Sequence, residues 1–384
     1  MLRVTFVTPG VLPMLRERAG TTYGGSELRA WRFARGLADR GFAVSIVAFD
    51  RDGGPAEALG DIAIVSDPIP ASKWASMVNR VRPTRDHAHG ALWAAAKADI
   101  YVAFGAADYN AALARWCQAN DLPLMLCAGN ESDFSIDYRP GNTTRNAWGS
   151  RCDLCFEAMT GATVVMVQTQ AQRQLLRQRF ERDGPVISNP TPLPSISGRR
   201  SGTNLLWVGK ATPVKRPNLA IRLAEMCPQV PFRVIANDAG GEAFARLRQE
   251  APPNVSLVES VKPSDMASEY EIAFAFLSTS VIEGFPNTFL EAGGFYLPIL
   301  SLDIDPDSVI TRERAGFMAD GDMDLLAAEI RRFHAEPALA REAGARMREY
   351  VRREHNPVEC VDRFSQLVQE IVGSNAAKLQ RRLI

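Results

Sequence analysis

The chain has 384 residues, 46% of them hydrophobic, and its 44 basic and 44 acidic side chains cancel to a formal charge of zero. The length suits two domains, each able to bury its own core, and the absence of a cationic excess excludes an exposed, nonspecific nucleic-acid binder. Up to residue 199 there are 22 basic against 19 acidic residues, and beyond it 22 against 25, so a slightly basic half precedes a slightly acidic one. In chain order, residues 3–8 read as a strand, 9–25 as a Gly-containing loop, 26–40 as an amphipathic helix and 44–49 as a second strand. The helix has a local cause: Ser26 can cap it, Glu27 sits in its positive first turn, Leu28, Trp31, Ala34 and Leu37 recur on one face, and Gly41 stops it.

The alternation continues through strands at 99–104, 122–127 and 162–168 and helices at 109–119 and 170–180, the pattern of a parallel sheet covered on both faces. Ser, Pro and Gly then crowd together over 187–204. This predicts an N-terminal domain over 1–190, a linker over 191–199 and a C-terminal domain over 200–356. The second half restarts with strands at 205–208, 232–236, 256–258, 272–277 and 298–301. Between them lie helices at 218–226, 242–250, 264–270 and 287–293, and further helices follow. The expected fold class is α/β, with two doubly wound, Rossmann-like domains facing each other across a cleft. Ligands of such sheets bind beyond the carboxyl ends of the strands.

Apolar runs such as residues 100–107 are far shorter than the roughly 18–20 residues a membrane-spanning helix requires. Pro9-Gly10 and Pro13 break the apolar start, and no small-residue cleavage site precedes Arg16-Glu17-Arg18. Six scattered cysteines form no disulfide framework. A cytoplasmic location is therefore expected.

The most informative stretch is 278–292. An apolar strand ends, a loop carries Glu283-Gly284-Phe285, Pro286 pre-sets a helical turn, and Glu291 falls one turn into the helix. Loop N–H groups and a helix N-terminus make a place for an anion such as a diphosphate. Glu283 beside it suits sugar hydroxyls better than phosphate.

Glu283-Gly-Phe-Pro-Asn-Thr-Phe-Leu-Glu291 resembles the corresponding segment of retaining nucleotide-sugar glycosyltransferases of the GT-B fold, family 4. Gly24-Gly25-Ser26-Glu27 is similar to that family's first Gly-rich loop. Val208-Gly209-Lys210 with Lys215-Arg216-Pro217 is similar to its diphosphate-binding loop, and Ile187-Ser188-Asn189-Pro190 to the segment closing its first domain. The resemblance implies that Lys210 and Lys215 grip the donor diphosphate and neutralise the departing nucleotide. It implies that Glu291 holds the ribose and Glu283 the donor sugar, and that Gly284, Phe285, Pro286 and Asn287 line the sugar and phosphate pocket. Gly25, with Gly24, would let the first-domain loop approach the phosphates.

The same resemblance implies transfer of a hexose-type sugar from a UDP- or GDP-linked donor to a hydroxyl of a sugar or lipid-linked acceptor, in cell-surface polysaccharide or glycoconjugate synthesis. Configuration would be retained by same-face attack, without metal or other cofactor. Domain closure would exclude water, and a helix over 357–384 would return to the first domain. One departure stands out. Many relatives carry a His in the first domain near the reacting carbon, whereas residues 124–133 here contain none. Asn130, Glu131 or Asp133 is left for that role, and Glu131 is the catalytic candidate carried forward. A non-catalytic nucleotide-sugar-binding protein and a GT-B epimerase are the rival readings.

Other features read more plainly. Cys152-Asp-Leu-Cys155 lacks a second pair and fits buried structural thiols better than zinc. Asp303-Ile-Asp305-Pro-Asp307 fits a polar loop better than a metal site. His87 and His89 are expected exposed, and His334 and His355 lie in the terminal helical segment, remote in sequence from the matched motifs. Trp74, Met77, Val78, Val81, Leu92 and Trp93 interleave with Lys73, Arg80, Arg82 and Arg85. That mixture suits peripheral contact with the anionic inner face of a plasma membrane. A helix packed on the first domain has the same composition and is the preferred reading.

Overall fold

The computed structural model describes residues 1–16, 24–50, 60–68, 87–196, 202–238 and 241–382. They form two compact units. The first is built from Met1–Leu15, Tyr23–Ile187 and Val358–Ile384, the second on Ser188–Pro357.

In the first unit, strands β1 (Arg3–Val7), β2 (Ala43–Asp50), β3 (Ala63–Pro68), β4 (Ile100–Phe104), β5 (Leu124–Cys127) and β6 (Val164–Met166) form one sheet in the order β3-β2-β1-β4-β5-β6. Every neighbouring pair is parallel. Helices α1 (Leu12–Leu15), α2 (Gly25–Ala38), α3 (His87–Ala95), α4 (Asp108–Ala119), α5 (Cys152–Gly161) and α6 (Gln170–Phe180) supply the crossovers and the cover. Helix α2 differs from expectation at its start: Gly24 is the N-cap, so Ser26 lies inside the first turn, and the Glu27 carboxylate closes the end by accepting the Gly24 N–H at 2.8 Å. Strand β3 was not anticipated. Its apolar core is only Ala63-Ile-Val, and Pro68 ends it at the sheet edge.

The opposite end of the chain completes this core. Helix α14 (Pro357–Arg382) contributes Val361, Phe364, Val368 and Ile371 to the face lined by Phe6, Phe33 and Leu37. Phe364 stacks on Phe33 at 4.2 Å. Gly36 of α2 is required there, because a Cβ would lie 2.6 Å from a Val361 methyl. Arg40 pairs with Asp362 at 2.7 Å across the same seam.

In the second unit, β7 (Asn204–Lys210), β8 (Phe232–Asn237), β9 (Val255–Val258), β10 (Ala273–Ser278), β11 (Ile299–Ser301) and β12 (Gly316–Met318) form the sheet β12-β11-β10-β7-β8-β9. Numbered from its own first strand this is the same 3-2-1-4-5-6 order, again wholly parallel. Around it lie α7 (Pro217–Met226), α8 (Glu242–Glu250), α9 (Met266–Glu271), α10 (Asn287–Gly294), α11 (Val309–Arg312), α12 (Met323–Ala335) and α13 (Pro337–Glu354). Leu205 and Trp207 face one core and Leu206 the other, the alternation that buries both faces of a central strand. The Pro-rich stretch read as a linker is held to this unit at residues 191 and 194: Thr191 donates its N–H to the His355 carbonyl at 2.9 Å, and Arg348 donates to the Pro194 carbonyl at 3.0 Å.

Candidate functional site

In the second sheet the strand order reverses between β7 and β10, which are hydrogen-bonded neighbours. Their last residues are Lys210 and Ser278. A doubly wound sheet opens its ligand crevice beyond such a reversal, and the loops that leave it are 211–216 and 279–286.

The two loops are stapled to each other. Arg216 precedes Pro217 and adopts φ +49°, a left-handed conformation that non-glycine residues rarely take. Its guanidinium holds the conformation, donating from Nε to the Thr279 carbonyl at 2.6 Å and pairing through Nη2 with Asp303. The buried Thr279 hydroxyl lies 2.7 Å from the Lys215 carbonyl and accepts the Trp207 indole N–H at 2.9 Å. Val281 N–H donates to the Val214 carbonyl at 3.0 Å. These bonds bring Lys215 against Glu283, and the two form an ion pair. Their side chains are 28% and 15% exposed, so the pair is shielded enough to outweigh an ordinary surface contact yet open enough for a ligand to reach.

Beyond Glu283 the chain turns inward. Gly284, Phe285 and Pro286 are buried, Pro286 is the N-cap of α10, and the positive end of that helix lies at Asn287. Phe285 packs between Tyr350 at 5.9 Å and His355 at 4.8 Å. One turn on, Glu291 accepts the Tyr270 hydroxyl proton at 2.9 Å, and the Tyr270 ring stacks on Phe295 at 5.4 Å. One end of the Glu291 carboxylate is thus fixed. Chemically, the arrangement offers cationic charge for phosphates from Lys210 and Lys215, acceptors for hydroxyls from Glu283 and Glu291, and N–H dipoles from the turn.

The structure therefore pairs Lys215 with Glu283 directly, sets Gly284, Phe285, Pro286, Asn287 and Glu291 on the second loop and the helix that follows it, and leaves Lys210 at the end of β7, where the first loop begins. Gly24, Gly25 and Glu131 belong to the first unit. Glu131 is exposed on a 3-10 turn (Glu131–Phe134), whereas its neighbour Asp133 is buried and accepts N–H bonds from Ala106 at 2.9 Å and Gly129 at 2.6 Å. Burial pushes the Asp133 pKa up, opposed by those N–H groups and by Arg29. Arg29 is itself only 2% exposed, donates to the Ala128 carbonyl at 2.7 Å, and has its pKa lowered by burial to about 10. Asn130 caps the turn, its Oδ1 accepting the Ser132 N–H at 2.8 Å.

One expectation about histidine is corrected: His89 is on α3, packed against Tyr109 at 5.0 Å and Trp93 at 5.9 Å, and is half-buried. His355, remote in sequence, is near in space: its ring meets Phe285 at 4.8 Å. Trp93 is buried and donates to the Tyr109 hydroxyl at 2.8 Å, so that end of the aromatic stretch is core; residues 69–86 lie outside the described residues. Cys152 and Cys155 are buried free thiols. Asp305 caps α11, accepting the Ile310 N–H at 2.7 Å. Arg216, Thr279, Tyr270, Asn189 and His355 were not singled out by the sequence reading as site residues. Of these, Arg216 and Asn189, each before a proline, carried a local signal.

Solved structures align with nearly the whole chain. Sucrose-phosphate synthase from Thermosynechococcus elongatus is 16% identical, with a TM-score of 0.79, covering 97% of this chain and all (100%) of that one. A TarM variant of S. aureus gives 13% and 0.71, covering 96% and 99%, and WaaG, a glycosyltransferase involved in lipopolysaccharide biosynthesis, 14% and 0.65, covering 94% and 98%. At such identities the likeness defines the fold, which is GT-B. Residues 202–336 match the model of the family described as glycosyl transferases group 1. The alpha-galactosylglucosyldiacylglycerol synthase of Streptococcus pneumoniae is 29% identical over 150 residues, 37% of this chain and 40% of that protein, so the match spans well under half of that relative. The chain thus has the GT-B fold, and residues 202–336 within its second unit are similar to the group 1 glycosyltransferases.

Proposed function

We propose that the protein is a retaining glycosyltransferase that moves a hexose from a UDP- or GDP-linked donor to an acceptor hydroxyl. The observation that carries this is the Lys215–Glu283 pair, held at the strand reversal beside Lys210 and the α10 N-terminus. An arriving diphosphate competes with Glu283 for Lys215. When it wins, Lys215 and Lys210 face the charge that grows on the leaving phosphate, and Glu283 is released to hold the sugar hydroxyls. Glu291, fixed by Tyr270, accepts from the ribose. No side chain of this set has to form a bond to the sugar, which suits same-face attack with the leaving phosphate taking the acceptor proton. The two lysines and the helix end supply the charge that a resident metal would otherwise provide.

The acceptor is assigned to the first unit, with Gly24, Gly25 and Glu131 as its contributions to the reaction. The pneumococcal relative's name supports a lipid-linked or other glycoconjugate acceptor, and with it peripheral contact with the inner membrane face. No helix among the described residues is long and apolar enough to cross a membrane. The test is release of nucleoside diphosphate from UDP-, GDP- and ADP-hexoses with and without acceptor glycolipids and oligosaccharides. Acceptor-dependent release is expected, falling by at least ~100-fold in Lys215→Ala and Glu283→Ala while circular dichroism is unchanged. Turnover in either variant at the wild-type level overturns the assignment, and acceptor-independent conversion points to an epimerase.

A further inference from the structure

The chain enters the second unit at Ser188 and leaves it at Pro357, and the two ends of that passage meet beside the loop that carries Glu283. Thr191 donates its N–H to the His355 carbonyl at 2.9 Å. His355 Nδ1 lies 3.0 Å from the Asn189 carbonyl oxygen. A carbonyl can only accept, so Nδ1 carries the proton in this contact. Asn189 in turn reaches the loop: its Nδ2 donates to the Phe285 carbonyl at 3.2 Å and lies 3.3 Å from Asn287 Oδ1. Asn189 and His355 are each 1% exposed. Polar groups this deeply buried lose more when a partner is removed than they gain when it is present, so each bond constrains its neighbours strongly. The carboxamide fixes the peptide plane that joins Phe285 to Pro286, and the side chain that opens α10. Through them it sets the direction of the first N–H groups of that helix.

The geometry points to Asn189 and His355 as positioning residues for the donor loop. His355 Nδ1–H holds the Asn189 backbone, and the Asn189 carboxamide holds the turn over 285–287 in the orientation that receives the sugar diphosphate. The role rests on the donor reading of that loop and requires neither side chain to touch the donor. It assigns a function to Asn189, which precedes Pro190, and to the buried histidine at the end of α13.

Asn189→Asp keeps the shape but turns an acceptor toward the Phe285 carbonyl. His355→Leu removes the Nδ1 donor, and His355→Asn restores an N–H near the same place. The donor KM, measured with whichever UDP-, GDP- or ADP-hexose the wild type turns over, is expected to rise about tenfold in Asn189→Asp and His355→Leu. In both, the acceptor KM stays unchanged. His355→Asn should return the donor KM toward the wild-type value. Amide hydrogen exchange should quicken at 284–289 in the two damaging variants and not across the rest of the second unit. A wild-type donor KM with unchanged exchange at 284–289 in Asn189→Asp overturns the proposal, as does an equal rise in donor and acceptor KM with exchange raised throughout. If His355→Leu does not fold, Asn189→Asp decides alone. A wild type that turns over no nucleotide hexose overturns the donor reading instead, and exchange at 284–289 still decides whether these residues position the turn.

Discussion

At the scale of single residues, the protein spends buried hydrogen bonds on loops at strand ends, and Asp133 is the clearest case in the first unit. Its two oxygens each accept a backbone N–H, from Ala106 after β4 and from Gly129 after β5, so one carboxylate ties two strand tips together. Asp133→Asn leaves one oxygen to accept and points an N–H₂ at the remaining backbone donor. We expect a loss of about 1–3 kcal/mol, read as a lower urea midpoint; a higher midpoint would mean that burying the charge costs more than its bonds contribute. Because burial raises the Asp133 pKa, the folded state holds the proton more tightly than the unfolded chain. Its contribution therefore falls as pH rises from the ordinary carboxylate value toward the raised one, a slope the variant should lack.

At the scale of elements, α10 is placed by close contact with α13. Gly344 of α13 lies so near the end of α10 that a Cβ there would stand 1.8 Å from the Tyr296 carbonyl oxygen, and one on Gly293 would stand 2.8 Å from Met347. Gly344→Ala must push the two helices apart. The expected result is a loss of about 1–3 kcal/mol in thermal or urea unfolding, accompanied by weaker nucleotide binding, since Glu291 and the α10 N-terminus move with the helix. Wild-type stability and binding together would show that the contact does not place α10.

Elements of this kind were largely legible in the sequence. Helices α2, α4, α6 and α8 and strands β8 and β10 announce themselves through periodicity and caps, and the Glu283-to-Glu291 stretch through its spacing. Strand β3 was not, being short and edge-placed, and helix α3 was read only as the end of a helix preferred for residues 74–93, its faces being poor in contrast. Thr279, Tyr270 and His355 were illegible for another reason. Their partners Lys215, Glu291 and Phe285 are far away along the chain, and no local pattern records a long-range bond.

At the scale of the molecule, the two units repeat one strand order, and the first takes in a helix from the far end of the chain. Val361, Phe364, Val368 and Ile371 of α14 are all buried in its core. At roughly 1.5–3 kcal/mol for each side chain, their burial together is comparable with the ~5–15 kcal/mol that holds a whole domain folded. Deleting residues 358–384 should therefore abolish the cooperative unfolding of the first unit, seen as rapid proteolysis within residues 24–187. A truncated chain that keeps that transition would contradict the packing argument.

The same helix imposes an order on synthesis. Strand β1 leaves the ribosome early, but the Phe364 ring that stacks over Phe6 and Phe33 is made only after the whole of Ser188–Pro357 has been synthesised. Domains generally fold as they are completed. The second unit is thus free to fold first, while one apolar face of the older unit waits uncovered for its last helix, the interval in which the nascent chain is most dependent on chaperones.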